Sequence, residues 1–220
     1  MTLPSPRFIP DAVLERRALD LLREHERRTG SPISLPVPID AIVERTLGLR
    51  VVWLPIEEQP GEIILARIDP DYRGHPTIQM NENRVAHFEG FFGTEQFSLA
   101  HEAGHWVLHY GRGRGRQLGL LPDTAEQADA VVLCRRMSDG DRRELQADRF
   151  AAYLLLPEHL VRPAVARFDL IRRGDVTRLA RDCGVSKRAM ARRLDSLGMV
   201  HLGVNGELLP CERSGQSGLL

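Results

Sequence analysis

The run Phe97-Ser-Leu-Ala-His101-Glu102-Ala-Gly104-His105-Trp-Val-Leu-His109 places two imidazoles four residues apart, with a carboxylate beside the first. On an α-helix, positions i and i+4 lie on one face. His101 and His105 can therefore reach one metal ion while Glu102 stands next to it. Histidine pairs of this spacing, followed by a third ligand and one open position, are what catalytic zinc in a peptidase needs. A pattern this short also arises by chance, and a helix carrying two satisfied histidines fits it too. The surroundings argue for the metal. Phe97, Leu99, Ala100, Ala103, Gly104, Trp106, Val107 and Leu108 make the stretch helical and mostly apolar. Such a helix is buried, and burying two imidazoles and a carboxylate without partners is costly. Gly104 is a poor helix former, but its missing side chain lets another element approach closely.

The third ligand is sought downstream, in Glu144-Leu-Gln-Ala-Asp148-Arg-Phe-Ala-Ala-Tyr-Leu-Leu-Leu-Pro157. Leu145, Phe150, Ala151, Leu154 and Leu155 mark an apolar side of a helix. Asp141 followed by Glu144 has the spacing of a capping box, and Pro157 ends this helix or opens the next. Glu144 and Asp148 are four apart and share a face. One carboxylate can bind the metal while the other accepts the N–H of a ligand histidine, which is the role expected of Asp148. Spacing alone equally allows Glu144 to pair with Arg142 or Arg143 on a wet surface. His109 continues the row of His101 and His105, but lies a further turn, about 6 Å, along the axis. One ion is not readily reached from three successive turns, so His109 is expected behind the ligands or at the helix end.

Together the two segments resemble the ImmA/IrrE family of bacterial metallopeptidases. The likeness extends to Pro36-Val-Pro-Ile-Asp40, Leu47-Gly-Leu-Arg-Val51 and Gly184-Val-Ser-Lys-Arg-Ala-Met-Ala-Arg-Arg-Leu-Asp-Ser-Leu-Gly198, and covers about residues 10 to 200. The resemblance implies His101, His105 and Glu144 as zinc ligands and Glu102 as general base. It also implies a substrate: family members cut, or trigger the loss of, small helix-turn-helix repressors, turning on mobile-element or stress-response genes. Two departures stand out. The stretch between His109 and Glu144 is long and contains Gly111-Arg-Gly-Arg-Gly-Arg116, and there is no room for the sensor domain of longer relatives.

Composition adds boundaries. At 220 residues the chain suits one large domain, or one with a small appendage. Thirty basic residues balance thirty acidic ones, so no global field favours DNA, membrane or acidic substrates. Cys134, Cys183 and Cys211 are too few and too far apart for a disulfide framework or a zinc ribbon, and fit a reducing cytosol. The first residues lack a charged-then-apolar signal pattern, and no apolar run approaches the ~20 residues of a membrane span. A cytoplasmic location without membrane contact is expected.

The periodicity predicts a helix over 11–28, a second helix capped by Asp40 and stopped by Gly48, and strands near 49–54, 62–68 and 76–80. Asp69 to Gly74 reads as a hairpin turn. Residues 76–80 could hold an extended substrate by strand addition, or form a plain edge strand. Gly111 to Gly119 reads as a solvated mobile loop. Near the end, Asp175 to Cys183 and a helix capped by Ser186 and ending at Gly198 form a helix-turn-helix-like unit. Nine basic residues against four acidic ones between Arg167 and Asp195 raise DNA contact, which is the less favoured reading.

The resulting expectation is an α+β, zincin-like metallopeptidase with a small antiparallel sheet, the HExxH helix, and a C-terminal helix-turn-helix-like unit. The expected divisions are a peptidase domain over 1–165, the helix-turn-helix-like unit over 166–200 packed on it, and a tail over 201–220. The rivals are a DNA-binding regulator with a non-catalytic metal site and a module that sequesters a repressor without cutting it. Zinc suits the ligand types, although manganese or iron can occupy a two-His, one-carboxylate site.

Overall fold

A computed structural model describes residues 9–110, 132–135, 142–172, 174–203 and 207–210. The chain is mixed α+β. Helix α1 (Asp11–Thr29) buries Leu14, Ala18, Leu21, Leu22 and His25, the face expected from its period, and ends on Gly30 at φ 69°. Helix α2 (Ile39–Ala41) runs into a π-turn (Ile42–Thr46). Asp40 does not cap it. Pro38 holds the N-cap position, where its fixed φ suits a helix entry, and Asp40 falls inside the first turn.

Strands β1 (Arg50–Leu54), β2 (Ile64–Tyr72), β3 (His75–Asn81) and β4 (Val132–Arg135) form one sheet in the order β1-β3-β2-β4. The expected antiparallel sheet is in fact mixed, because β1 runs parallel to β3. The chain leaves β1, passes through residues 55–63 and lays down β2 two places away. The β2–β3 hairpin then drops β3 into the gap. Asn81 secures that detour. Its side chain accepts from the Ile56 N–H (3.1 Å) and donates to the Ile64 carbonyl (2.8 Å).

The position of β3 overturns both readings of residues 76–80. The strand is paired on both sides, so it is no edge and has no free backbone groups to add a substrate strand. The hairpin turn is also tighter than Asp69–Gly74. It consists of Arg73 (φ 50°) and Gly74 (φ 79°) between the paired Tyr72 and His75, the two-residue form with positive φ at both positions. Asp69 to Tyr72 belong to β2, with an irregular register around Pro70, which cannot donate to a ladder.

Helix α3 (Val85–Gly90) leads into α4 (Thr94–His105), which continues as a π-turn (Trp106–Tyr110). Helix α5 (Arg142–Leu155) packs along α4. Gly104 is where they meet: a Cβ there would stand 3.1 Å from the Phe150 ring and 3.3 Å from the Ala147 backbone. A side chain would force the two helices apart, so glycine's cost to helix stability is offset by the close approach. Phe150, Ala151, Leu154 and Leu155 are buried as expected, but Leu145 is 41% exposed and lies off the apolar side. Pro157 is the N-cap of α6 (Glu158–Val165). Asp141 and the Gly111–Gly119 segment lie outside the described residues.

Helices α7 (Asp175–Asp182) and α8 (Lys187–Ser196) follow, and the Ser186 side chain caps α8 by accepting from the Ala189 N–H. Part of the stretch expected as a tail is a two-stranded ladder, β5 (Val200–Leu202) with β6 (Leu208–Pro210). Arg193 fastens α8 to the rest. It is 4% exposed, donates to the Leu156 carbonyl at 2.9 Å, pairs with Glu15 of α1 and lies over the Tyr153 ring. The turn before α8 is held from another side by Gly93, the residue before α4. Gly93 sits at φ 80°, and a Cβ there would fall 2.7 Å from the Ser186 nitrogen. Gly93→Ala combines left-handed strain of about 1–2 kcal/mol with overpacking of about 1–3 kcal/mol against unyielding backbone. Urea unfolding should show a loss of about 2 kcal/mol or more; a loss below about 1 kcal/mol would mean the contact is loose. Among the described cysteines, Cys183 is free and buried, with its thiol pushed up to about 11 by burial.

Candidate metal centre

From Ser98 to His105 every residue of α4 is buried, and the two imidazoles point to the same place. His101 Nε2 lies 2.9 Å from His105 Nε2. Glu144, from the first turn of α5, brings one carboxylate oxygen to 3.2 Å from His101 Nε2 and the other to 3.4 Å from His105 Nε2. His101, Glu102 and His105 are at most 2% exposed and Glu144 is 8% exposed. The wet-surface reading of Glu144 is therefore wrong; Gly104 brings the α5 backbone close enough for its carboxylate to face the rings.

The donor set of this cluster suits a divalent cation. Asp148 lies 2.9 Å from His101 Nδ1, and a carboxylate can only accept, so Nδ1 carries the proton. In the neutral ring Nε2 then offers a lone pair. In the metal-free protein a hydrogen on a facing Nε2 donates to the Glu144 carboxylate; as lone pairs the same atoms can instead be shared by one divalent ion. An ion with ligands at about 2.0–2.1 Å in a tetrahedron has ligand–ligand edges of about 3.3 Å, close to the three separations seen. His101, His105 and Glu144 are the metal-competent cluster among the described residues.

The electrostatics suit ligation. Burial lowers the His105 pKa, which keeps the ring neutral, the form that binds metal. Burial alone would raise the Glu144 carboxyl, but its hydrogen bonds with the His101 and His105 rings win and hold it down at about 2. Asp148 takes the expected place behind His101. His109 stays out of the cluster, also as expected. Its ring centre is 5.5 Å from that of His105, and its pKa falls to about 3, chiefly by burial. A hydrogen bond with the Arg143 backbone ties the π-turn to α5 one residue before Glu144.

One residue at this site was not foreseen. Tyr110 closes the π-turn after α4 and is half-buried. Burial pushes its phenol up to about 12, and the charges of Glu102 and Glu144 push the same way against Arg143. The hydroxyl thus stays protonated at neutral pH. A cavity of about 310 Å³ lined by Ile9, Leu14, Arg142, Leu145, Gln146 and Arg149 contains none of these groups. Here the chemistry of the side chains locates the site.

Among the comparisons with known proteins, the family model is the one that bears on the site. A solved structure titled Mycobacterium tuberculosis transcriptional regulator is similar at 16% identity and a TM-score of 0.46, over 85% of this chain and 52% of that one. The chain thus spans about half the length of that protein. No curated protein matches the sequence. The profile described as IrrE N-terminal-like domain, Peptidase_M78, matches residues 45–195, a span that holds the whole His-His-Glu cluster, and the chain belongs to that family.

Proposed function

We propose that the protein is a zinc-dependent endopeptidase that cleaves a cytosolic helix-turn-helix transcriptional repressor and so relieves repression of stress-response or mobile-element genes. The observation that carries this reading is the convergence of His101, His105 and Glu144 from two helices, with Glu102 between the two histidines in sequence. In this reading residues 1–165 are a zincin-like body and 166–200 a helix-turn-helix-like unit packed on it. Zinc, when bound, acidifies water and polarises the scissile carbonyl. Glu102 takes the proton of the attacking water and passes it to the leaving amine. Asp148 fixes the tautomer of His101, leaving Nε2 free to ligate. His109 braces the end of α4 against α5. Tyr110 donates its phenolic hydrogen to the oxyanion that develops on the substrate carbonyl.

The direct test incubates the purified protein with the helix-turn-helix repressor encoded beside it, with and without a chelator. A fragment that appears only without chelator supports the reading; an intact repressor under every condition removes it. Tyr110→Phe removes one donor and should lower kcat about 10²–10³-fold while the zinc content stays at wild type. An unchanged kcat would place Tyr110 outside the reaction.

A further inference from the structure

Helices α7 and α8 carry a charge pattern that proteolysis does not use. Exposed charged side chains between 172 and 196 are Arg172, Arg178, Arg181, Lys187, Arg188 and Arg192 on the basic side, and Asp182 and Asp195 on the acidic side. Arg178 pairs with Asp175, and the buried Arg193 is occupied by Glu15. Among the described residues, Arg172, Arg181, Lys187, Arg188 and Arg192 enter no ion pair. The arrangement costs the helix stability. Arg188 and Arg192 repel one another at i, i+4, and two cations stand on the first turn of α8, where the helix dipole disfavours them. Meanwhile the opposite face of α8, with Met190, Ala191, Arg193 and Leu194, is packed into the body. The basic face is therefore turned outward on a rigid support.

We infer that the exposed face of α8, carrying Lys187, Arg188 and Arg192, is a binding surface for the phosphate backbone of duplex DNA. A net-neutral protein with a locally basic face attracts polyanions to that face. Duplex is favoured over single strands because the exposed positions of α7 and α8 include no aromatic ring on which a base could stack. With arginine and lysine directed at phosphates, affinity is weak in sequence preference and steep in salt.

The test is retardation of a labelled mixed-sequence duplex across a salt series. The wild type should bind at low salt, with log affinity falling against log salt by about 0.9 per phosphate engaged. Arg188→Gln with Arg192→Gln should weaken binding about 10-fold or more and flatten the slope by about 2. Both side chains are exposed and repel one another, so a thermal melt at or above that of the wild type will show that the double variant is folded. Absence of retardation by the wild type at low salt overturns the inference, as does an unaltered slope in the folded double variant. Binding of a poly-glutamate peptide without binding of the duplex also overturns it, and would give the surface to an acidic protein instead.

Discussion

Glu102→Gln should abolish repressor cleavage while leaving the protein folded and its metal in place. The amide keeps the size of the side chain at a position with 0% exposure, so packing around α4 is preserved. It removes only the capacity to accept and return a proton. General acid–base groups contribute about 10²–10⁴-fold, and here one carboxylate serves both the attack and the departure, so a loss of about 10³-fold or more in kcat is expected. The cluster His101, His105 and Glu144 is untouched, so zinc per protein, measured on the purified variant, should equal that of the wild type. Three other outcomes each correct something specific. Loss of zinc would make Glu102 a ligand. Retained cleavage would give the proton transfer to another group. Relief of repression in cells by an uncleaving variant would mean the protein sequesters its target.

The parts of this site that could be read in advance share one property: they lie within a helical turn or two of each other. His101 to His105 and Glu144 to Asp148 are i, i+4 pairs, and the helix makes them neighbours whatever the rest of the chain does. Gly104 was readable for the same reason, as a poor helix former placed where only close packing excuses it. What no local pattern contains is the meeting of the two helices, and on spacing alone Glu144 could equally have been a surface group. The same limit explains the sheet. The alternation in β1 and β3 marks them as strands, but not that β1 would run parallel to β3 with the β2–β3 hairpin folded back between.

Tyr110 was missed for a different reason. Five residues beyond His105 is another face of a straight α-helix. A π-turn, bonded i to i+5, changes the face that position takes, and no residue between 106 and 110 announces one. Asp40 failed as a cap because Pro38, two residues earlier, already fixes the entry to α2. The loss of Leu145 from the apolar side shows how little one leucine says. Successive residues are about 100° apart, and Leu145 falls outside the broad arc shared by Ala147, Phe150, Ala151 and Leu154.

Glu144→Ala should reduce metal affinity at least 10-fold, and more if the carboxylate supplies as much of the charge as its pKa suggests. The two histidines contribute neutral nitrogens. Held near a pKa of 2, Glu144 is the anion of the set at any pH where zinc binds. Without it the rings keep two donors, one short of the three protein ligands a catalytic zinc uses. Dialysis against a competing chelator should strip the variant at concentrations that leave the wild type loaded; equal retention would take Glu144 out of the site. The metal-free proteins offer a second reading of the same side chain, with the sign fixed by its pKa. A carboxyl at 4.5 when unfolded and about 2 when folded stabilises the folded state above 4.5, and that contribution is lost as the pH falls toward 2. The stability gap between metal-free wild type and metal-free Glu144→Ala should therefore be widest near neutrality and close in acid. A gap that stays constant across that range would mean the carboxylate is not engaged by the two imidazoles, and the three-ligand centre would lose its third member.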